Sequence, residues 1–204
     1  MNKEWKALRD LGAWNGKGAR EWSGVRDEAK KKGIRMHVGM VFGICVEKGS
    51  ELPEGNPGRK YKGRGVFRGN DVRDESHFMA TFQDLGSAPA SMASGKFLDF
   101  MGLLPGWLVM QADAIRAHTQ ALLEGVPTWV RIPRDQWPKE WAHMKDPVCS
   151  LILALYGHPD AGTCWEKYCG IQLQKVGLLP IMNWPGRYRH TSLRAVLTVH
   201  VDDF

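Results

Sequence analysis

Two aspartates stand side by side, Asp202 and Asp203, at the end of an alternating apolar run. Leu193, Ala195, Leu197, Val199 and Val201 share one parity of that run, and Arg194, Thr198 and His200 the other, which predicts a strand. Adjacent carboxylates repel and each resists desolvation, so such a pair belongs at an exposed turn or where cations neutralise it. A third acid, Asp113, closes a shorter apolar phrase, Leu108 to Asp113, read as a short buried strand. Three carboxylates at neighbouring strand ends suit two Mg2+ ions about 4 Å apart, with Mn2+ as a substitute. Magnesium takes one or two carboxylates and completes its shell with substrate phosphates. That is the requirement of nucleotidyl transfer, in which one ion activates a 3′-hydroxyl and the other stabilises leaving pyrophosphate. Taken singly, Asp-Asp is more often a polar strand end and Asp113 a strand-end cap.

The elements that must position these acids are legible in outline. Residues 21–32 read as a short helix stopped by Gly33. Ile34, Met36, Val38, Met40, Phe42, Ile44 and Val46 alternate, as in one strand or a bent pair with Gly39 and Gly43 as bend points. Residues 49–60 carry two prolines and three glycines and form a loop, and a short strand follows around Gly65–Phe67. The small and apolar stretch from Ser87 to Leu108 predicts a buried helix, and Ala114 to Leu123 another. Thr128 to Ile132 is a strand stopped by Pro133, and Val148 to Tyr156 is an apolar run. A helix starts near Pro159 with Ala161, Cys164, Trp165, Tyr168 and Val176 as its stripe, and Gly177 with Pro180 ends it.

Composition sets the outer bounds. The chain has 204 residues, 43% hydrophobic and 25% charged, which excludes a disordered or collagen-like protein. No apolar run is long enough for a membrane span, and the start of the chain has no secretory leader, so an intracellular protein, cytoplasmic or nuclear, is expected. Cys45, Cys149, Cys164 and Cys169 are too scattered for a disulfide framework or a zinc site. Gly12 to Gly18 lacks the spacing of a P-loop. The 28 Lys and Arg against 22 Asp and Glu leave a net charge of +6, a mild attraction for polyanions. Between Arg59 and Arg73 the basic residues Arg59, Lys60, Lys62, Arg64, Arg68 and Arg73 face a single acid, Asp71. On charge alone that block is a solvated loop.

An ordered set of motifs resembles the reverse transcriptase of copia-type LTR retrotransposons. The family block K-A-R-L-V-A-R-G is matched by Lys62-Gly63-Arg64-Gly65-Val66-Phe67-Arg68-Gly69. Its block Q-x-D-V-x-x-A-F-L-x-G is matched by QADAIRAHTQALLEG, from Gln111 to Gly125. Its L-Y-G-L-K-Q-A corresponds to Leu155-Tyr156-Gly157-His158-Pro159-Asp160-Ala161, with Trp165 following, and its Y-V-D-D to His200-Val201-Asp202-Asp203. The likeness covers residues 36–204, and residues 1–35 form a polar, helical extension before it.

The resemblance implies an α+β fold, the incomplete fingers and palm of a right-hand polymerase, within the polyprotein of an element whose DNA copy undergoes integration. It implies an RNA-directed DNA polymerase with RNA or DNA template, primer and deoxynucleoside triphosphates as partners. Asp113 and Asp202 would be the principal metal ligands, with Asp203 supporting and the carbonyl of Ala114 as a further ligand. Lys62, Arg64 and Arg68 would lie near the triphosphate or the template backbone, where Lys and Arg make charge-assisted contacts. Where the family carries the ring that selects deoxyribose, this chain has His118, and where the family carries a glutamine it has Asp160, suited instead to a helix N-terminus. His118 is read equally well as a plain helix residue. Phe204 follows the aspartates directly, so a truncated and inactive piece is expected. The alternatives are a non-catalytic, basic nucleic-acid-binding remnant and a metal-dependent nuclease using the same carboxylates.

Overall fold

Helix α1 (Asn2–Asp10) carries only two buried side chains, Trp5 and Leu8, and glycines decide where it lies. It rests on a two-stranded ribbon of β2 (His37–Lys48) and β3 (Lys60–Phe67), paired antiparallel from Val41↔Phe67 to Lys48↔Lys60. A Cβ on Gly65 would collide with Leu8, and one on Gly43 or Gly63 with Met1. The glycine parity of the ribbon is therefore the covered face. The protein, a computed structural model, is described over residues 1–82 and 90–204. It divides into two units, Met1–Gln83 with Leu122–Ala161, and Asp84–Ala121 with Gly162–Phe204.

The first unit is built on a six-stranded mixed sheet. Its remaining strands are β1 (Arg20–Glu21), β4 (Arg73–Asp74), β5 (Thr128–Arg131) and β6 (Pro147–Ser150). Their order is β1-β6-β5-β2-β3, with β4 also on β2; β2 and β5 are parallel and the other pairs antiparallel. Helix α2 (Trp22–Lys32) ends as expected at Gly33, whose left-handed φ of 62° favours glycine. The core gathers Trp5, Leu8, Val41, Phe67, Val130 and Leu155.

The alternating stretch forms one strand from His37 onward rather than a bent pair, and residues 34–36 lie before it. Of its apolar parity only Val38 is buried: Ile34 and Met40 are each 43% exposed, Ile44 38% and Val46 55%, with Met36 and Phe42 half-buried. Gly39 and Gly43 are not bends. They are points of close approach, Gly39 to the Phe67 ring and Gly43 to Met1 and Trp5.

The second unit contains α3 (Met92–Gly102), α4 (Ala161–Lys175, all but its first residue) and the antiparallel meander β7 (Leu178–Pro180), β8 (Arg187–His190) and β9 (Val196–Thr198). Its core holds Ala117, Trp165, Cys169, Tyr188 and Val199. Trp165 packs on the helix stripe as expected, whereas Val176 lies past the helix end and is 62% exposed.

Three expectations fail here. The phrase from Leu108 is not a buried strand, because Leu108 and Met110 are each 82% exposed and pairing begins only at Ala112. The helix over Ala114–Leu123 shrinks to one 3-10 turn, Ala117–Gln120, since Arg116 before it has a left-handed φ of 57°. The helix expected from Ser87 to Leu108 is the shorter α3, and residues 87–89 of that reading lie outside the described residues.

Two motif glycines, Gly69 and Gly157, hold backbones against each other within the first unit. The Phe67 N–H donates to the Tyr156 carbonyl at 2.7 Å. A Cβ on Gly69 would strike the Gly157 carbonyl oxygen, and one on Gly157, at φ 88°, the Phe67 carbonyl oxygen. Backbone atoms cannot swing aside as a side-chain tip can. Gly69→Ala should therefore cost about 1–3 kcal/mol of unfolding free energy in urea titration. Gly24→Ala, in a helix and open to solvent, should be neutral or slightly stabilising.

Candidate functional site

The residues singled out in the sequence fall in both units. In the second unit, residues 200–204 turn back on themselves. His200 and Asp203 exchange both backbone hydrogen bonds, at 2.8 and 3.0 Å, leaving Val201 and Asp202 as a two-residue turn. Val201 takes a φ of 59°, a left-handed position normally left to glycine and costly for a β-branched residue. The strain, about 1–3 kcal/mol, persists because the turn is clamped. The Trp165 indole N–H donates to the Val201 carbonyl at 2.6 Å, and the Ala114 N–H to the Asp202 carbonyl at 2.7 Å.

The segment carrying Asp113 pairs with this turn. Ala112 and Phe204 exchange backbone bonds of 3.0 and 2.8 Å, which places Asp113 directly opposite Asp203 in an antiparallel bridge. Asp113 and Asp203 form the non-hydrogen-bonded pair between those bonds, the arrangement with the closest side chains, Cβ atoms about 4.5–5.5 Å apart. The register thus sets Asp203, rather than Asp202, against Asp113. Asp202 sits in the turn, and its charge acts on His118.

His118 is 8% exposed; burial holds its imidazole below the ordinary range, and the Asp202 carboxylate pulls the other way. It lies in a 3-10 turn, not in the helix expected. His200 bonds the Ala90 carbonyl through Nδ1 at 2.9 Å, so Nδ1 carries the proton.

Among the described residues no three His, Cys, Asp or Glu side chains converge so as to hold a metal ion. Asp113 and Asp203 offer hard oxygen donors on one strand pair. One or two carboxylates completed by water and phosphate is the kind of ligand set Mg2+ takes.

In the first unit the basic block becomes a strand face. Register pairs Lys48 with Lys60, Val46 with Lys62 and Ile44 with Arg64, all on the parity opposite to the one α1 covers. Arg59 is held by Glu47 at 3.0 and 3.1 Å, and Arg73 by Asp71 at 3.1 Å. Lys48, Lys60, Lys62, Arg64 and Arg68 are exposed and form no ion pair among the described residues. The Arg64 guanidinium lies 5.2 Å from the Tyr156 ring centroid. Lys48 and Lys60 share this face with Lys62 and Arg64, a placement that their common parity in the sequence signals.

Asp160 sits immediately before α4, where a helix start was expected to need it, and burial pushes its carboxyl up. Its N–H donates to His158 Nδ1 at 3.1 Å, while His158 Nε2 lies 3.3 Å from the Thr128 hydroxyl, itself bonded to the Val126 carbonyl. His158 is therefore neutral, with its proton on Nε2. His37, 2% exposed, shares the Phe82 ring with it.

A scan against protein-family models and searches of curated proteins and solved structures found no match.

Burial, with His37 alongside, lowers the pKa of His158 to about 4. The unfolded chain takes up that proton near pH 6.5 and the folded chain does not, so acid favours unfolding. Stability should be unaffected by this group above pH 6.5 and should fall by up to about 3 kcal/mol between pH 6.5 and 4. Urea titrations across that range on the wild type and His158→Gln check it, with the variant losing less.

Proposed function

We propose that this chain supplies fingers and palm of an RNA-directed DNA polymerase of a retrotransposon polyprotein. One observation carries the reading: backbone bonding sets Asp113 opposite Asp203, at the base of a clamped and strained turn. Support comes also from the exposed cations of β2 and β3, whose charge no acid among the described residues offsets.

In this reading Asp113 and Asp203 hold Mg2+, which supplies charge neutralisation at the reacting phosphate when bound. The chain's own residues do the rest. Lys62, Arg64 and Arg68 contact phosphates of the template or of the deoxynucleoside triphosphate, where each neutralised phosphate releases a counterion. The interleaved Ile44 and Val46 give the same face apolar contact area. His118, buried beside the turn and acted on by the charge of Asp202, would take the place at the incoming sugar that the resemblance implies.

The alternative, a basic binding remnant without chemistry, rests on the same cationic face and on the absence of a third converging acid among the described residues. The two differ in whether cation binding matters. Titration of Mn2+ into the purified chain, followed by electron paramagnetic resonance, should show one bound ion, tightened by a deoxynucleoside triphosphate. Asp113→Asn and Asp203→Asn should each weaken it at least tenfold. A Lys62→Glu, Arg64→Glu variant should bind a primer–template more weakly with a shallower salt dependence, while keeping the ion. Mn2+ binding that ignores both aspartate variants would favour the remnant.

A further inference from the structure

Arg187, at the start of β8, is 4% exposed yet makes no ion pair among the described residues. A buried guanidinium normally faces a carboxylate. Here its partners are neutral. One terminal nitrogen donates to the Pro185 carbonyl at 3.0 Å and the other to the Ser91 hydroxyl at 2.9 Å, while Nε has no partner. The Trp184 ring, 4.3 Å from the guanidinium carbon, fixes its plane. Gly186, at φ 70°, lets the backbone of Ala90 approach; a Cβ there would lie 3.0 Å from the Ala90 nitrogen.

Ser91 is the N-cap residue of α3, an eleven-residue helix, and its side chain caps none of the helix amides. Its hydroxyl is turned toward Arg187 and Ser94 instead, at 2.9 and 3.2 Å. Ser91, Met92 and Ala93 are exposed, so this helix start is open to solvent. The first amides of a helix carry partial positive charge and lack intrahelical partners. The unpartnered Nε and the nitrogen holding Ser91 form one edge of the guanidinium, the edge that forks onto two oxygens of an anion.

We infer that Arg187, the Ser91 hydroxyl and the first turn of α3 form a binding site for a phosphate group. A tetrahedral phosphate offers oxygens to all three at once: two to the fork and hydroxyl, one to the helix amides. The site is separate from the Asp113–Asp203 pair and does not depend on the polymerase reading. It neighbours the turn in sequence and contact, since Ala90, next to Ser91, accepts the bond from His200. Its phosphate comes either from a nucleic-acid backbone or from a free nucleoside triphosphate.

Calorimetric titration of inorganic phosphate at constant ionic strength, in EDTA, tests the site. The wild type should bind phosphate. Ser91→Asp, whose carboxylate pairs with Arg187 and caps α3, should bind at least tenfold more weakly while melting at the same or a higher temperature. Arg187→Lys, which keeps the charge but loses the fork, should also bind more weakly. Displacement of phosphate by a single-stranded oligonucleotide assigns the backbone as source, and displacement only by dTTP assigns the triphosphate. Asp113→Asn should retain phosphate affinity, which separates this site from the carboxylate pair. No detectable phosphate binding by folded wild type, or binding unchanged by Ser91→Asp, would overturn the inference.

Discussion

Two carboxylates on facing strands repel, and the second unit holds them there. Asp113 and Asp203 are both exposed, so water screens their repulsion to roughly 1 kcal/mol at a 4 Å separation. Backbone bonds on both sides of the pair oppose that force: Ala112 with Phe204 on one side, Ala114 with Asp202 on the other. The His200–Asp203 bonds close the turn, and the Trp165 indole pins the Val201 carbonyl from α4. A valine in a left-handed conformation is tolerated because all of these converge on it. A cation bound between the carboxylates would convert their repulsion into two attractions, which is the physical case for a metal at that place.

The first unit rests on a different constraint, the period of two in a strand. Along β3 the residues alternate between a glycine-bearing parity under α1 and a cationic parity facing away from it. Along β2 the same division leaves Ile44 and Val46 outside. Burying Trp5 and Leu8 against glycine thus leaves the opposite face free to carry charge. Carboxylates neutralise Arg59 and Arg73 at the margins, while Lys60, Lys62 and Arg64 along the strand remain uncompensated.

How far the sequence disclosed this depends on whether a signal was local. Gly33 and the run into it marked α2 and its end, because a helix stop is written in one residue. Thr128–Arg131 and the helix after Pro159 were legible for the same reason. The parity of the Ile34–Val46 stretch showed a strand but pointed to the wrong buried face over its second half, since hydrophobicity lost to the space that glycine leaves for a helix. The acids at positions 113, 202 and 203 were legible as candidates. Their register was not, because it depends on pairing between segments some ninety positions apart. Apolar Leu108–Met110 suggested burial, yet the side chains are exposed; composition alone does not say which apolar residues find a partner. Arg187 gave no signal, since its burial comes from Trp184, Pro185 and Ser91 folding around it.

The opposition of Asp113 and Asp203 is the claim from which the catalytic reading follows, and oxidative cross-linking reads it directly. A non-hydrogen-bonded antiparallel pair brings two Cβ atoms within disulfide range. In a Cys45→Ser background, which removes the exposed native thiol, Asp113→Cys combined with Asp203→Cys should close to an intramolecular disulfide under mild oxidant. Asp113→Cys combined with Asp202→Cys should remain largely reduced under the same conditions. Preferential closure of the 113–202 combination, or no closure of either in folded protein, would contradict the register and the site built on it.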